Sequence, residues 1–258
     1  MKRLVALTLA VLMCCIGAGT PVTANSFAAA SDEEYYLFQV AQIMEGYEEN
    51  PQAAVAALAE LDTELIGEPS VQTIRTSGTE RRTDPTDYTL KIYCTKRGMA
   101  GVNLAYYLSW TLEAEIMEIL PGPLDFISIE WDTRYGEYYS SNGDGVYSTV
   151  KSRSDGIVLF NLQDNDLRAG NSAQGSVRLS PKAPGNMRYG SKFVHTYTTL
   201  NVSGSATVSY GNSAEIFSQG YGSLNLGNTK GFTVNVGTNT SQWEMWIDGR
   251  AYIGSDGS

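Results

Sequence analysis

The chain has 258 residues, 18 of them basic and 28 acidic, for a net charge of −10, and only 18% of residues are charged. That length suits one large domain or two small ones, with a core that needs neither metal nor crosslink. The negative charge repels phosphate backbones and anionic surfaces, which excludes nucleic acid as an expected partner.

Residues 1–24 read as a signal peptide. Lys2 and Arg3 precede an apolar run over residues 4–16, and Val22-Thr23-Ala24 supplies small residues before a cleavage point. The run is too short for a spanning helix, and no second long apolar run follows, so no stable transmembrane segment is expected. Cys14 and Cys15 raise a lipidated N-terminus as an alternative. Removing the leader takes away two basic residues and no acids, leaving 16 basic against 28 acidic groups, a net of −12. Only Cys94 then remains, so no intrachain disulfide forms. It shares a strand face with Leu90 and Ile92 and reads as a small buried hydrophobe. These features predict a secreted, bacterial protein.

Residues 31–67 are predicted to form an αα-hairpin. Ser31 and Glu34 make a capping box, and Leu37, Val40, Ala41, Met44 and Tyr47 share one helical face. Asn50-Pro51 closes this helix and opens a second. That one carries Val55, Leu58, Leu61 and Leu65 and stops at Gly67. The hairpin is expected to pack on itself or on a sheet, and a role for residues 31–85 as a pro-segment stays open. Arg81-Arg82, in the polar link that follows, is a plausible proteolytic site.

From residue 86 to 258 the chain reads as an antiparallel β domain with possible sub-sheets at 86–180 and 190–258. Strands are predicted at 88–95, 104–112, 126–131, 137–141, 146–151, 157–162 and 177–179, with the 104–112 segment also fitting a helix. Asn142-Gly143-Asp144-Gly145 predicts a hairpin turn and Asp155-Gly156 the next, giving a meander over 137–162. A loop is expected at 181–190. In the long alternating tract from Lys192 to Ile253, Val194, Leu200, Val202, Ala206, Val208 and Tyr210 should face a core, and His195 and the interleaved Ser, Thr and Asn should face water. The alternation resumes at Leu224, Leu226, Phe232, Val234 and Val236. Asp248-Gly249 predicts a last turn between strands at 243–247 and 250–253. The fold class is mainly β: an antiparallel sandwich, or barrel-like domain, preceded by an αα-hairpin.

Chemistry is sparse. His195 is the sole histidine, and no nucleophile-elbow sequence accompanies it. Zinc lacks ligands, and no metal or other cofactor is expected. Asp164-Asn165-Asp166 and Asn142-Gly143-Asp144 cluster oxygens suited to calcium but complete no known loop pattern. Carboxylates for glycoside chemistry exist at Glu113, Glu115, Glu130, Asp132, Glu137 and Glu244, without a spacing that sequence can fix. Tyr135, Tyr138, Tyr139 and Tyr147 gather at one hairpin, and Trp246 should point outward between Glu244 and Asp248. These five are the candidate ligand-binding residues, with a glycan, the cell envelope or a protein as the expected partner. The favoured function is therefore non-enzymatic binding outside the cell. The alternatives are a pore-forming or antibacterial β protein using residues 194–238, whose alternation also suits a membrane-inserting hairpin, and a secreted hydrolase.

Overall fold

The computed structural model describes residues 32–74, 88–99, 102–114, 125–163, 171–198, 206–212, 230–236 and 240–254. The chain divides into two compact units, residues 1–36 and 37–258; the second holds the β domain. Helix α1 runs Asp32–Glu45 and α2 runs Pro51–Ala59. Asn50 caps α2 as expected, its Oδ1 accepting the Ala53 amide at 3.1 Å, with Pro51 in the first turn. Strand β1 is Thr63–Leu65 and β2 is Ser70–Ile74. The second helix thus stops eight residues short of Gly67. The segment holding Leu65 pairs with residues 95–97 as a strand, because sheet pairing there replaces a third helical turn.

The remaining strands are β3 (Tyr88–Met99), β4 (Val102–Ala114), β5 (Asp125–Trp131), β6 (Gly136–Gly143), β7 (Ser148–Ser154) and β8 (Ile157–Leu162). After them come β9 (Ser172–Pro181), β10 (Gly185–Thr198), β11 (Ala206–Asn212), β12 (Lys230–Val236) and β13 (Thr240–Ile253). All pairing is antiparallel. Sheet A has the order β1-β3-β4-β9-β6 with β2 also on β3, sheet B the order β13-β10-β5-β8-β7, and β11-β12 form a separate two-stranded sheet. The architecture is a sandwich with two N-terminal helices and is not a closed barrel. The sheets interleave along the chain and do not divide it near residue 180.

The core lies between sheets A and B. Leu90, Ile92 and Cys94 of β3, Leu108, Trp110 and Leu112 of β4, Ile127, Ile129 and Trp131 of β5, and Phe193 and Met245 of the long strands are all buried there. Alternate residues of β3, β4 and β9 face outward, yet Lys91, Tyr93, Thr95, Tyr107, Ser109 and Ser176 are buried too. The end of α1 and the turn after it are tied to this outer face: Lys91 Nζ donates to the Met44 carbonyl at 3.0 Å and pairs with Glu48, and Ser172 Oγ donates to Glu45. Ser109 and Ser176, opposite one another in the register, share a 2.6 Å hydrogen bond.

Three turn expectations are corrected. Asn142–Gly145 does not make a hairpin: β6 pairs with β9 in sheet A, and β7 pairs with β8 in sheet B, so the turn carries the chain from one sheet to the other. The meander over 137–162 therefore reduces to the β7–β8 hairpin, whose turn at Gly156 has φ +79°. Residues 181–190 are mostly strand, since β10 begins at Gly185. Asp248-Gly249 makes no turn either; Asp248 pairs with Gly190 and Gly249 with Tyr189 inside one continuous strand. A fourteen-residue partner strand overrides the turn preference of two residues.

The sheet-to-sheet corner is held by one side chain. Asp144 Oδ1 accepts the amides of Val146, Tyr147 and Ser148 at 2.7–2.8 Å, and Oδ2 accepts that of Gln174 at 3.0 Å. Replacing Asp144 with Ala strands those donors, so we expect a loss of about 2–4 kcal/mol, read as a lower urea midpoint at unchanged slope.

Candidate functional site

The five aromatic residues named from sequence occupy separate places. Tyr138 packs against the core; its hydroxyl lies 3.0 Å from Ser141 Oγ and accepts from Arg153 Nη1 at 3.0 Å. A register shift between Tyr138 and Ser140 turns Tyr139 the other way. Tyr139 is 60% exposed, with the Arg178 guanidinium 4.2 Å from its ring. Tyr135 packs against the core beside Gly185, where a β-carbon would come within 2.5 Å of its ring. Tyr147 also packs on the core and accepts from Asn171 Nδ2 at 3.2 Å. Trp246 lies on the outer face of sheet B, with Lys192 Nζ 4.4 Å from its ring centroid. A binding patch must be contiguous and open, and of these residues only Tyr139 stands well exposed.

His195 is the clearest departure from the sequence reading. It faces the inside of the sandwich and is 0% exposed. Its Nδ1 lies 2.6 Å from Asp125 Oδ2, and Asp125 Oδ1 accepts the Thr196 amide at 2.7 Å. Tyr88 and Trp243 stand 5.1 and 5.0 Å from the imidazole, and Tyr197 stacks on it at 6.0 Å. The reason is topological. The β5–β10 pairing ends at Phe126↔Val194, so β10 outruns its neighbour at Asp125. The Asp125 carboxylate supplies the acceptor that a longer β5 would have offered. Full burial keeps any substrate away from this ring.

The carboxylates do not converge among the described residues. Glu130 is 0% exposed on the outer face of sheet B; Ser128 Oγ donates to its Oε1 at 2.8 Å, and its Oε2 has no hydrogen-bond partner. Burial pushes its pKa from 4.5 to about 8, against opposing pulls from Ser128 and Lys192. Lys192, 1% exposed, has its pKa lowered by burial while a 2.8 Å bridge to Glu244 works the other way. Glu113 and Glu137 are exposed on different strands of sheet A, and Asp132 is held by Arg134. Glu115 and Asp164–Asp166 lie outside the described residues. Among those described, no group of three His, Cys, Asp or Glu side chains is placed to hold a metal ion, and the Asp144 oxygens are taken up by amides. Burial in the core pushes the Cys94 thiol far above its usual range.

The alternating tract resolves into body and arm. Strands β10 and β13 pair from Gly185↔Ile253 to Thr198↔Thr240 within sheet B. Beyond them β11 and β12 pair from Ala206↔Val236 to Asn212↔Lys230 in a sheet of their own. Seven residues separate the two ladders on one strand and three on the other, so the register breaks between them. Opposite residues of an antiparallel ladder share a face. One face of the ribbon is thus composed of Ala206/Val236, Val208/Val234, Tyr210/Phe232 and, at its far end, Asn212/Lys230, and the other of Thr207/Asn235, Ser209/Thr233 and Gly211/Gly231. Sequence showed the alternation within each strand; only the register shows that the two apolar sets coincide.

The sequence matches no protein-family model and no curated protein. Solved structures similar to it include the following two. One is the sixth cohesin of Acetivibrio cellulolyticus scaffoldin B in complex with a dockerin mutant, at 15% identity, 37% coverage of this chain, 78% of that chain and a TM-score of 0.27. The other is a pore-forming protein at 7% identity, 72% and 95% coverage and a TM-score of 0.33. Likeness at these scores carries no function across.

Two outcomes follow from the buried polar groups. Glu130 titrates higher folded than unfolded, so the stability linked to it is whole below about pH 4.5 and is lost as pH rises to about 8. Urea denaturation across that window should show a fall of a few kcal/mol that Glu130→Gln removes; equal slopes in the two proteins would dismiss the assignment. Asp125→Ala should cost about 2–4 kcal/mol by stranding its buried partners, and hydrogen exchange at the Thr196 amide should accelerate with it.

Proposed function

We propose that this protein is exported and permeabilises lipid bilayers by inserting its β11–β12 ribbon. The observation that carries this reading is the register, which collects the six apolar residues on one face, with Asn212 and Lys230 at its far end, and six polar or small residues on the other. Lipid on one side and a water-filled lumen on the other demand that division. Lys230 is the only charged residue in the two strands, and it lies with Asn212 at the far end of the apolar face. A spanning strand takes about 9–11 residues. The described ladder has seven pairs, and Leu224 and Leu226 continue the same parity in the sequence toward the turn. Among the described residues no helix is long and apolar enough to cross a membrane.

A lone ribbon has two unpaired edges, and hydrocarbon offers its backbone no partners. Insertion therefore requires several copies closing edge to edge, about eight strands or roughly four ribbons at the least. The leader at residues 1–24 fits export, and the scattering of Tyr135, Tyr138, Tyr147 and Trp246 leaves Tyr139 with Arg178 as a small surface for a glycan, envelope component or protein.

The test is dye release from liposomes. The double substitution Val208→Asp with Val234→Asp puts charge on the apolar face, at about 2–4 kcal/mol per site for lipid contact. It should reduce release about a hundredfold while the sandwich unfolds at the same temperature. Ser209→Asp, on the polar face, should retain most release. A chain inert toward every lipid tried, or an unaffected double variant, overturns the proposal.

A further inference from the structure

Resting on the surface that Tyr139 and Arg178 were given above, we infer that these residues form a sugar-binding site, one that takes a neutral pyranose ring of a glycan. The inference comes from how Tyr139 is presented. Strand β6 ends the order of sheet A among the described residues. Its register against β9 slips between Tyr138 and Ser140, which leaves Tyr139 as an extra residue. A bulge re-aims the side chain it carries. Here Tyr138 packs on the core, and Tyr139 meets Arg178 instead, with 60% of its surface exposed. A bulge that only blunted a sheet edge would need no aromatic residue.

The exposed ring is also held. The Arg178 guanidinium lies 4.2 Å from the centroid of Tyr139 and 6.0 Å from that of Tyr107, which is buried. One cation thus links a ring fixed in the sheet to a ring in the open. Cation–π contact occupies part of the Tyr139 ring surface, and the exposure of that residue leaves the rest to a ligand. A tyrosine has few rotatable bonds, and one already fixed in place loses little entropy when a partner stacks on it.

The neighbouring groups set the class of ligand. Glu137, which is exposed, stands opposite Ser180, and Arg178 stands opposite Ser140, in nearby pairs of the β6–β9 ladder. A guanidinium only donates hydrogen bonds, a carboxylate only accepts them, and a hydroxyl does both. A pyranose has an apolar C–H face to lay on an aromatic ring and a rim of hydroxyls that donate and accept. The Glu137 and Arg178 charges cancel, so a neutral sugar fits this set, while a sugar carrying a carboxylate would be repelled by Glu137. The site is also separate from the ribbon. Arg178 lies six residues along β9 from Ser172, about 20 Å at the rise of a strand. Ser172 pairs with Glu113 beside the Tyr88↔Ala114 pair, and the Tyr88 ring reaches His195 near the ribbon root.

The experiment probes an array of neutral oligosaccharides of galactose, glucose, mannose and N-acetylglucosamine, with sialylated counterparts beside them, using the full chain. Saturable binding to at least one neutral glycan is expected. Tyr139→Ala should weaken it about tenfold at an unchanged urea midpoint, since the side chain is exposed, and Tyr139→Phe, which keeps the ring, should retain it. No saturable binding to a neutral glycan, binding that Tyr139→Ala leaves intact, or a preference for the sialylated set overturns the inference. Dye release from phosphatidylcholine vesicles, which carry no sugar, reads insertion alone. Failure of sugar binding therefore leaves insertion standing, and failure of release leaves the sugar site standing.

Discussion

Strand β10 has to serve two environments, and the Asp125 carboxylate marks where one gives way to the other. Up to Val194 the strand has neighbours on both sides, β5 and β13. Past that point β5 has ended, and an amide inside the sandwich would lack an acceptor, which costs more than a hydrogen bond gains. Asp125 takes that amide with one oxygen and approaches His195 with the other. The rest follows from this local settlement. Strand β10 then runs on, paired with β13, to Thr198↔Thr240, three residues past His195. The aromatic rings around His195 then exclude water from a polar contact that water would weaken.

Much of the fold was legible in the sequence because most strands bury one face in a shared core. Leu90, Ile92 and Cys94, or Ile127, Ile129 and Trp131, alternate cleanly, and their strands were found where the pattern put them. The Asn50-Pro51 cap was equally plain, since capping depends on two adjacent residues. Errors fell where a distant partner outweighed a local signal. Asp248-Gly249 has the composition of a turn, but a register of fourteen pairs with β10 keeps it extended. The Asn142–Gly145 turn exists, but which sheet each flanking strand joins depends on β9 and β8, far away in the chain. Position in a layer is not a property of the turn.

The facing of β10 was misread for a related reason. A single strand suggests that its polar residues meet water, and His195, Thr196 and Lys192 are all buried. Their partners sit on other strands: Asp125 on β5, Glu244 on β13. Ser109 with Ser176 is the same case in sheet A. Most buried polar groups are matched, and these matches are made across the register, where one strand read alone gives no sign of them. The aromatic cluster suffered similarly: Tyr135, Tyr138 and Tyr147 are near in sequence, but each packs against the core instead of forming an open patch.

Register also decides what can be argued about function. Alternation along one strand fits a half-buried sheet and a membrane hairpin equally well. What separates them is whether two alternating strands, once paired, put their apolar residues on one face while joining no other sheet. A sandwich strand passes the first condition and fails the second, because its apolar face is already spent on the core. The β11–β12 ladder meets both. Its ladder, unlike those of sheets A and B, belongs to neither layer of the sandwich, and burial of apolar surface is what fixes a ribbon in place. A face of that kind, with Asn212 and Lys230 only at its far end, is what the insertion proposal rests on.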